Sequence, residues 1–424
     1  MMRPKAWIAL LLLCPAVLLD RLAYYGARAH LFQALGAAGV SSTRAAQLLT
    51  VATSLSYLVS VAAGGLAFVI GPRLTAVAGS LVSAVGLGLL VGGTTPEAGL
   101  VVMMLGAGLF RPCCIAAAAE IVSGEDVGPS GEALPPSARR FAVLAAIATV
   151  IYGGVNLFAT LAPVASGAIY GGLGTRALFG SCLVLELVIA LLVGVSALVS
   201  LSLRASRPAA GPPDAIYRTQ AAHAATSGVA APNAIAGLAL LAIPTLLHGM
   251  ASSIGWAFMP FEGVSAASQG LLQMLNPAVV VAASLGLAIA WIVSAAGRAQ
   301  LLPMRVWGVG FAIAGLGMLP LALGLHGGTG MFLLGTAVTA VGEAAIAPIV
   351  TTYAVLAVKP RAAALSVALM GLVGWLSYSG STASALGIPG LLLTLGGLSC
   401  LAIGILAALF APRIHQKLFA PATG

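Results

Sequence analysis

The chain has 424 residues, 60% of them hydrophobic and only 7% charged, with a formal net charge of +9. A soluble domain carries about 25% charged residues, so this chain could not cover a water-exposed surface, and a soluble fold is excluded. Its apolar runs lack period-two alternation, which argues against a β-barrel, and its basic surplus suits a protein facing anionic lipid rather than nucleic acid.

A helix needs about 20 predominantly apolar residues to cross a bilayer core. Runs of that kind predict twelve spanning helices, over 6–34, 44–70, 74–92, 98–122, 140–170, 177–203, 233–258, 267–296, 303–325, 329–357, 361–385 and 388–411. Arg3 and Lys5 precede the first run, but it continues past Asp20 and Arg21 to Leu35. That is longer than a signal-peptide core, so it reads as the first helix. It contains DRLAYYGAR, residues 20–28. At 3.6 residues per turn, Arg21, Tyr24, Tyr25 and Arg28 fall on one stripe, with Asp20 at its edge. A charge at the bilayer centre costs about 2.5–3.5 kcal/mol on insertion scales, so this stripe is expected to line a polar interior. Arginine suits bidentate recognition of a carboxylate; an ion-pair network holding helices together is the structural alternative.

The fourth run carries GAGLFRPCC, residues 106–114. Arg111 is mid-span and precedes Pro112, which frees a carbonyl and bends the helix. Glu120, near the cytoplasmic end, reads as a structural or gating charge. Glu186 in the sixth run has no neighbouring motif, and both a structural and a functional role stay open for it. The polar stretch 204–232, rich in Pro, Ala and Arg, divides six helices from six. The predicted organisation is a bundle over 1–203, a cytoplasmic linker over 204–232, and a bundle with a short tail over 233–424. The tenth run carries VGEAAIAP, residues 341–348, and Glu343 is the only acid deep in the C-terminal half.

With the N-terminus inside, fourteen of the nineteen basic residues fall in cytoplasmic segments, and only Arg44 and Arg176 fall in outside loops. That bias predicts a multi-pass inner-membrane protein with both termini in the cytoplasm. Cys14, Cys113, Cys114, Cys182 and Cys400 all lie in spans without metal-ligand spacing, and read as small packing residues. The polar residues include no nucleophile–base motif, phosphate loop or metal cluster, so an enzyme is not expected. Arg21, Arg28 and Arg111 in one half and Glu343 in the other predict a cavity with cations on one wall and an anion on the other. A zwitterion with separated amine and carboxylate, such as a short peptide, fits that pattern.

DRLAYYGAR resembles the first-helix signature E-x-x-E-R-F-x-Y-Y-G-x-R of the proton-dependent oligopeptide transporter (POT/PTR) family of the major facilitator superfamily. The resemblance continues in order along most of both halves. SYLVSVAAGG (56–65) looks like that family's second helix, and GAGLFRPCC resembles G-x-G-L-F-K-P-N. IYGGVNLFA (151–159) is similar to F-Y-x-x-I-N-x-G, LLQMLNP (271–277) to Q-S-L-N-P, and the segment 341–372 to the G-E-x-x-x-S-P helix and its following loop. The resemblance implies an all-α membrane protein of the major facilitator superfamily fold, twelve helices in two six-helix bundles, binding substrate near the midplane. It implies a monomer with a small-molecule substrate and the bilayer as its partners, no cofactor, and the proton as coupling ion. Carried over residue by residue, Arg21 and Arg28 meet the substrate carboxylate or the proton-coupling network, and Arg111 stands where the family has lysine. Tyr24, Tyr25, Tyr57, Asn156 and Asn276 line the pocket, and Glu343 takes the peptide amine. Proton coupling falls to Asp20, Arg21 and Glu343.

The sequence also departs from the family. Val17 stands where the signature has its first glutamate, Phe68 where the second-to-third loop has an aspartate, and Cys113 where asparagine follows the fourth-helix proline. The seventh helix, LLHGMASSIGWAF (246–258), has no acid, and His248 is the nearby group that could titrate near neutral pH in its place. The expected function is proton-coupled uptake of di- and tripeptides by alternating access. A carrier or uniporter for another small organic anion or zwitterion is the alternative, as is a membrane sensor that no longer transports.

Overall fold

A computed structural model describes residues 4–93, 95–123, 138–205, 231–257, 266–297, 301–356, 358, 363–379 and 389–414. Four helices open the chain: α1 (Pro4–Ala37), α2 (Ser42–Ile70), α3 (Pro72–Gly92) and α4 (Pro96–Ser123). The helical stretch Ala138–Ala205 is interrupted at Gly174, with φ 80° and ψ −179°, and so makes α5 (138–173) and α6 (175–205). A side chain rarely adopts that φ, so glycine marks the corner. The remaining helices are α7 (Ala231–Ala257), α8 (Ala266–Ala295), α9 (Pro303–Gly327), α10 (Thr329–Leu356), α11 (Ala363–Ser379) and α12 (Pro389–Leu409). The central part of the predicted linker, the end of the predicted eleventh span and the C-terminal tail lie outside the described residues.

Nine helical stretches among the described residues are long and apolar enough to cross a membrane, and one of them, Phe141–Leu201, covers both α5 and α6. Helices α7 and α11 add the shorter apolar segments Gly237–Met250 and Ala363–Val373. Large apolar side chains such as Val69, Val85, Leu191, Leu198, Leu285 and Leu323 are exposed, as a lipid-facing surface requires. The chain is a multi-pass helical membrane protein.

The helices approach closely because small residues recur at seven-residue spacing. On α3, Gly79 and Gly86 meet α4 beside Phe110 and Met103, and Gly99 and Gly106 of α4 meet α3 in return. On α9, Gly310, Gly317 and Gly324 face α10 near Ala345, Thr339 and Phe332, while Gly308 and Gly315 face Gly404 and Gly397 of α12. At most of these positions a side chain would collide with the neighbouring helix's backbone. With little hydrophobic drive between helices in lipid, such close approach supplies the dispersion contact that holds them together.

The described chain clusters into two compact units. One comprises residues 1–130, 157–210 and 359–372; the other comprises 131–156, 211–358 and 373–424. The first part of α5 therefore belongs with helices of the C-terminal half: the Phe141 ring packs at a tilt against Trp291 and Tyr353, and Gly153 abuts Ser284 of α8. Likewise, the first part of α11 belongs with the N-terminal helices, where Gly64 of α2 packs on Leu365.

Candidate functional site

In the first unit, the α1 stripe is buried where the sequence predicts polarity. Asp20, Arg21 and Tyr24 are all buried, Tyr25 is half-buried and Arg28 is exposed. The Arg21 Nη2 and Asp20 Oδ2 atoms are 3.0 Å apart. Adjacent residues on a helix diverge by about 100°, so this is an ion pair without hydrogen-bond alignment, and neither Asp20 oxygen has a hydrogen-bond partner among the described residues. Val17, one turn before Arg21, is buried, so an apolar side chain occupies the position where the resembling family carries an acid.

Arg111 reaches this cluster from α4. Its guanidinium carbon lies 4.2 Å from the centroid of the Tyr24 ring, with those of Arg21 and Arg28 at 5.9 and 6.0 Å. Three guanidinium groups thus surround one phenol, which is a cation–π arrangement. Arg111 Nε and Nη2 have no hydrogen-bond partner among the described residues. Tyr57 of α2 is also within electrostatic reach of Arg111. The kink that carries Arg111 is itself supported. Pro112 has no N–H for the Gly108 carbonyl, and the Ser60 hydroxyl of α2 lies 3.0 Å from that oxygen and 2.9 Å from Ser56 O. Gly108 has no side chain to keep α2 away; a Cβ there would collide with Ser56 O.

A second buried acid joins the cluster from a helix where the sequence left the matter open. Glu186 of α6 is buried, and Ser80 of α3 donates to its Oε2 at 2.6 Å. Its electrostatic neighbours are Asp20, Arg21 and Arg111. Glu120 instead pairs with Arg73 at 3.6 Å.

In the second unit, Glu343 of α10 accepts a hydrogen bond from Asn276 Nδ2 of α8 at 3.2 Å and lies 3.7 Å from His248 Nε2 of α7. His248 is buried and packs edge-on against Phe311. The histidine is therefore not isolated, and the pair is ionic whenever the imidazole is protonated. Asn156 sits in this unit rather than with the arginines and donates to Tyr152 O at 2.9 Å. An apolar cavity of about 460 Å³ lies between α8, α9 and α10, with Arg305 among its lining residues; it contains none of the predicted polar residues. Cys113, Cys114, Cys182 and Cys400 are buried and unpaired, and Phe68 is exposed.

Two features escaped the sequence: the Ser80–Glu186 contact, which joins residues 106 apart, and the His248–Glu343 pairing. A serine or a lone histidine in an apolar helix carries no signal of its partner. Only the rarity of acids within spans pointed toward Glu186.

No protein-family model matches the chain, and no curated protein is similar to it in sequence. Solved structures do match along nearly all of it. A POT family transporter in complex with a thioalcohol-conjugated peptide matches with TM-score 0.60 at 18% identity, covering 96% of each chain. A POT family transporter in complex with 5-aminolevulinic acid matches with TM-score 0.57 at 18% identity, again over 96% of each. The fucose:proton symporter of E. coli matches with TM-score 0.64 at 15% identity, over 96% of this chain and 99% of that one. The chain has the fold of these transporters, that of the major facilitator superfamily.

Proposed function

We propose that the chain is a divergent member of the proton-dependent oligopeptide transporter family, working in the inner membrane by alternating access and taking up di- and tripeptides with protons. One observation carries this reading above the others. Arg111 lies beside a tyrosine, deep in a membrane protein, with two nitrogens that have no hydrogen-bond partner among the described residues. Buried donors without partners are costly, and a guanidinium fork matches a carboxylate. A ligand carboxylate would supply the missing acceptors, with Arg21, Tyr24, Tyr25, Arg28 and Tyr57 around it. In the other unit, the Glu343 carboxylate, held by Asn276, would take a ligand amine, with Asn156 as a further polar contact. Asp20, Arg21, Glu343 and His248 would carry the coupling to the proton.

The test is uptake of radiolabelled dialanine into proteoliposomes under an imposed proton gradient. Arg111→Gln is expected to abolish it. If Arg111→Gln transports like the native chain, the carboxylate role is overturned.

A second reading has its own support. Glu343 is already partnered by His248, and a carboxylate neutralised inside the protein has less to offer an amine. A carrier for a small organic anion, coupled or not, would use the arginine cluster alone. Competition by an N-blocked dipeptide as strong as that by the free dipeptide would favour this reading.

A further inference from the structure

The arginine cluster has more acid around it than the first helix supplies. Glu186 belongs to α6, Asp20 to α1, and each lies within the electrostatic reach of the other, of Arg21 and of Arg111. Both carboxyls are among the most buried polar groups of the chain, at 3% and 1% exposure. The groups facing Glu186 are Asp20 and Arg21 from α1, Arg111 from α4, Ser80 from α3, and Cys182 on its own helix.

We propose that Glu186 is a proton-carrying carboxyl of this protein, in the electrostatic neighbourhood of Asp20, Arg21 and Arg111, that uses the Ser80 hydroxyl as its partner in both protonation states. The Ser80 geometry is what allows two states. Its Oγ lies 2.6 Å from Glu186 Oε2 and 2.9 Å from the Glu186 backbone carbonyl oxygen. When Glu186 is ionised, the hydroxyl hydrogen goes to Oε2. When Glu186 is protonated, its own O–H donates to Ser80 Oγ, and the serine hydrogen turns to the backbone carbonyl. Neither the Ser80 hydroxyl nor Glu186 Oε2 is stranded in either state, which a buried titrating group requires.

Two carboxyls within electrostatic reach of each other in a low-dielectric site do not both ionise freely, so together they tend to hold one proton. That proton comes from water on one side of the membrane, forms one O–H bond on a carboxyl oxygen, and leaves to water on the other side; no other bond changes. With both acids ionised, they offset Arg21 and Arg111. With one proton bound, one guanidinium charge is released toward a ligand anion. Proton binding and anion binding then favour each other, and by linkage each strengthens the other equally. Glu186 thereby supplies, from a different helix, the second acid that is missing at Val17.

The coupling step rests on the carrier reading above, but the proton site is tested without any substrate. Infrared difference spectra of the purified full chain, taken as pH is raised from acid to alkaline, are expected to show a protonated-carboxyl band that is lost as pH rises. Glu186→Gln should remove it, Asp20→Asn should remove or displace it, and the exposed Glu97→Gln should leave it in place. Ser80→Ala should move its midpoint by about one unit, and this variant decides the matter should Glu186→Gln fail to fold. A band absent from the native chain, or one unchanged by both Glu186→Gln and Ser80→Ala, overturns the proposal. In proteoliposomes, Glu186→Gln should lose gradient-driven dialanine accumulation while keeping dialanine exchange. If the native chain does not move dialanine at all, the peptide reading falls and the spectra still judge the proton site.

Discussion

Arg111 shows how one residue's setting is built from several helices. Pro112 bends α4, Ser60 of α2 takes up the carbonyl left free at Gly108, and the guanidinium settles over Tyr24 of α1. Removing one partner of a buried charged contact costs about 2–5 kcal/mol. Arg111→Gln should therefore weaken binding of an anionic ligand by about thirtyfold or more, measured as direct binding to the purified variant. Glu343→Gln should weaken free-amine dipeptides while sparing N-blocked ones, and equal loss for both would remove the amine role. The α1 stripe was legible because two arginines and an aspartate inside an apolar run have few explanations. The contacts between distant residues were not: Asn276 and Glu343 are 67 residues apart, and nothing in either stretch names the other. Helical phase fixes a direction, not the depth of cover, so the sequence did not show that Arg28 is exposed while Arg21 is buried.

At the scale of elements, glycine spacing determines packing. The seven-residue recurrence on α3, α4, α9, α10 and α12 is visible in the sequence, and the structure shows that each series faces a particular neighbour. Gly317 of α9 approaches Thr339 and the Gly335 carbonyl of α10 so closely that no Cβ fits. Gly317→Leu should lower the thermal stability of the purified protein by about 1–3 kcal/mol or more. By contrast, Gly88, with nothing near its would-be side chain, should tolerate alanine. Gly174→Ala puts a side chain at positive φ with extended ψ and should cost about 1–3 kcal/mol, read in the same melting experiment. Helix number and most boundaries followed from the apolar runs. The turn at Gly174 falls within the predicted gap of 171–176 between the fifth and sixth spans, since a glycine-rich stretch beside Arg176 breaks the run.

At the scale of the whole molecule, composition alone established a membrane protein, and the likeness to solved transporters gives its fold. Sequence did not reveal that the first part of α5 clusters with C-terminal helices and the first part of α11 with N-terminal ones. Apolar helices look alike to a reader who cannot see which partner each has. The bias of basic residues predicts both termini in the cytoplasm; a reporter fused to the C-terminus and active only in the cytoplasm checks this. The central claim is carriage of a zwitterion driven by protons, with arginines around Tyr24 receiving its carboxylate. Its most direct test is the uptake of radiolabelled dialanine into proteoliposomes with and without an inward proton gradient. The account predicts accumulation above equilibrium only with the gradient, abolished by Arg111→Gln. Failure of a dipeptide panel to accumulate or compete at any imposed gradient would contradict it.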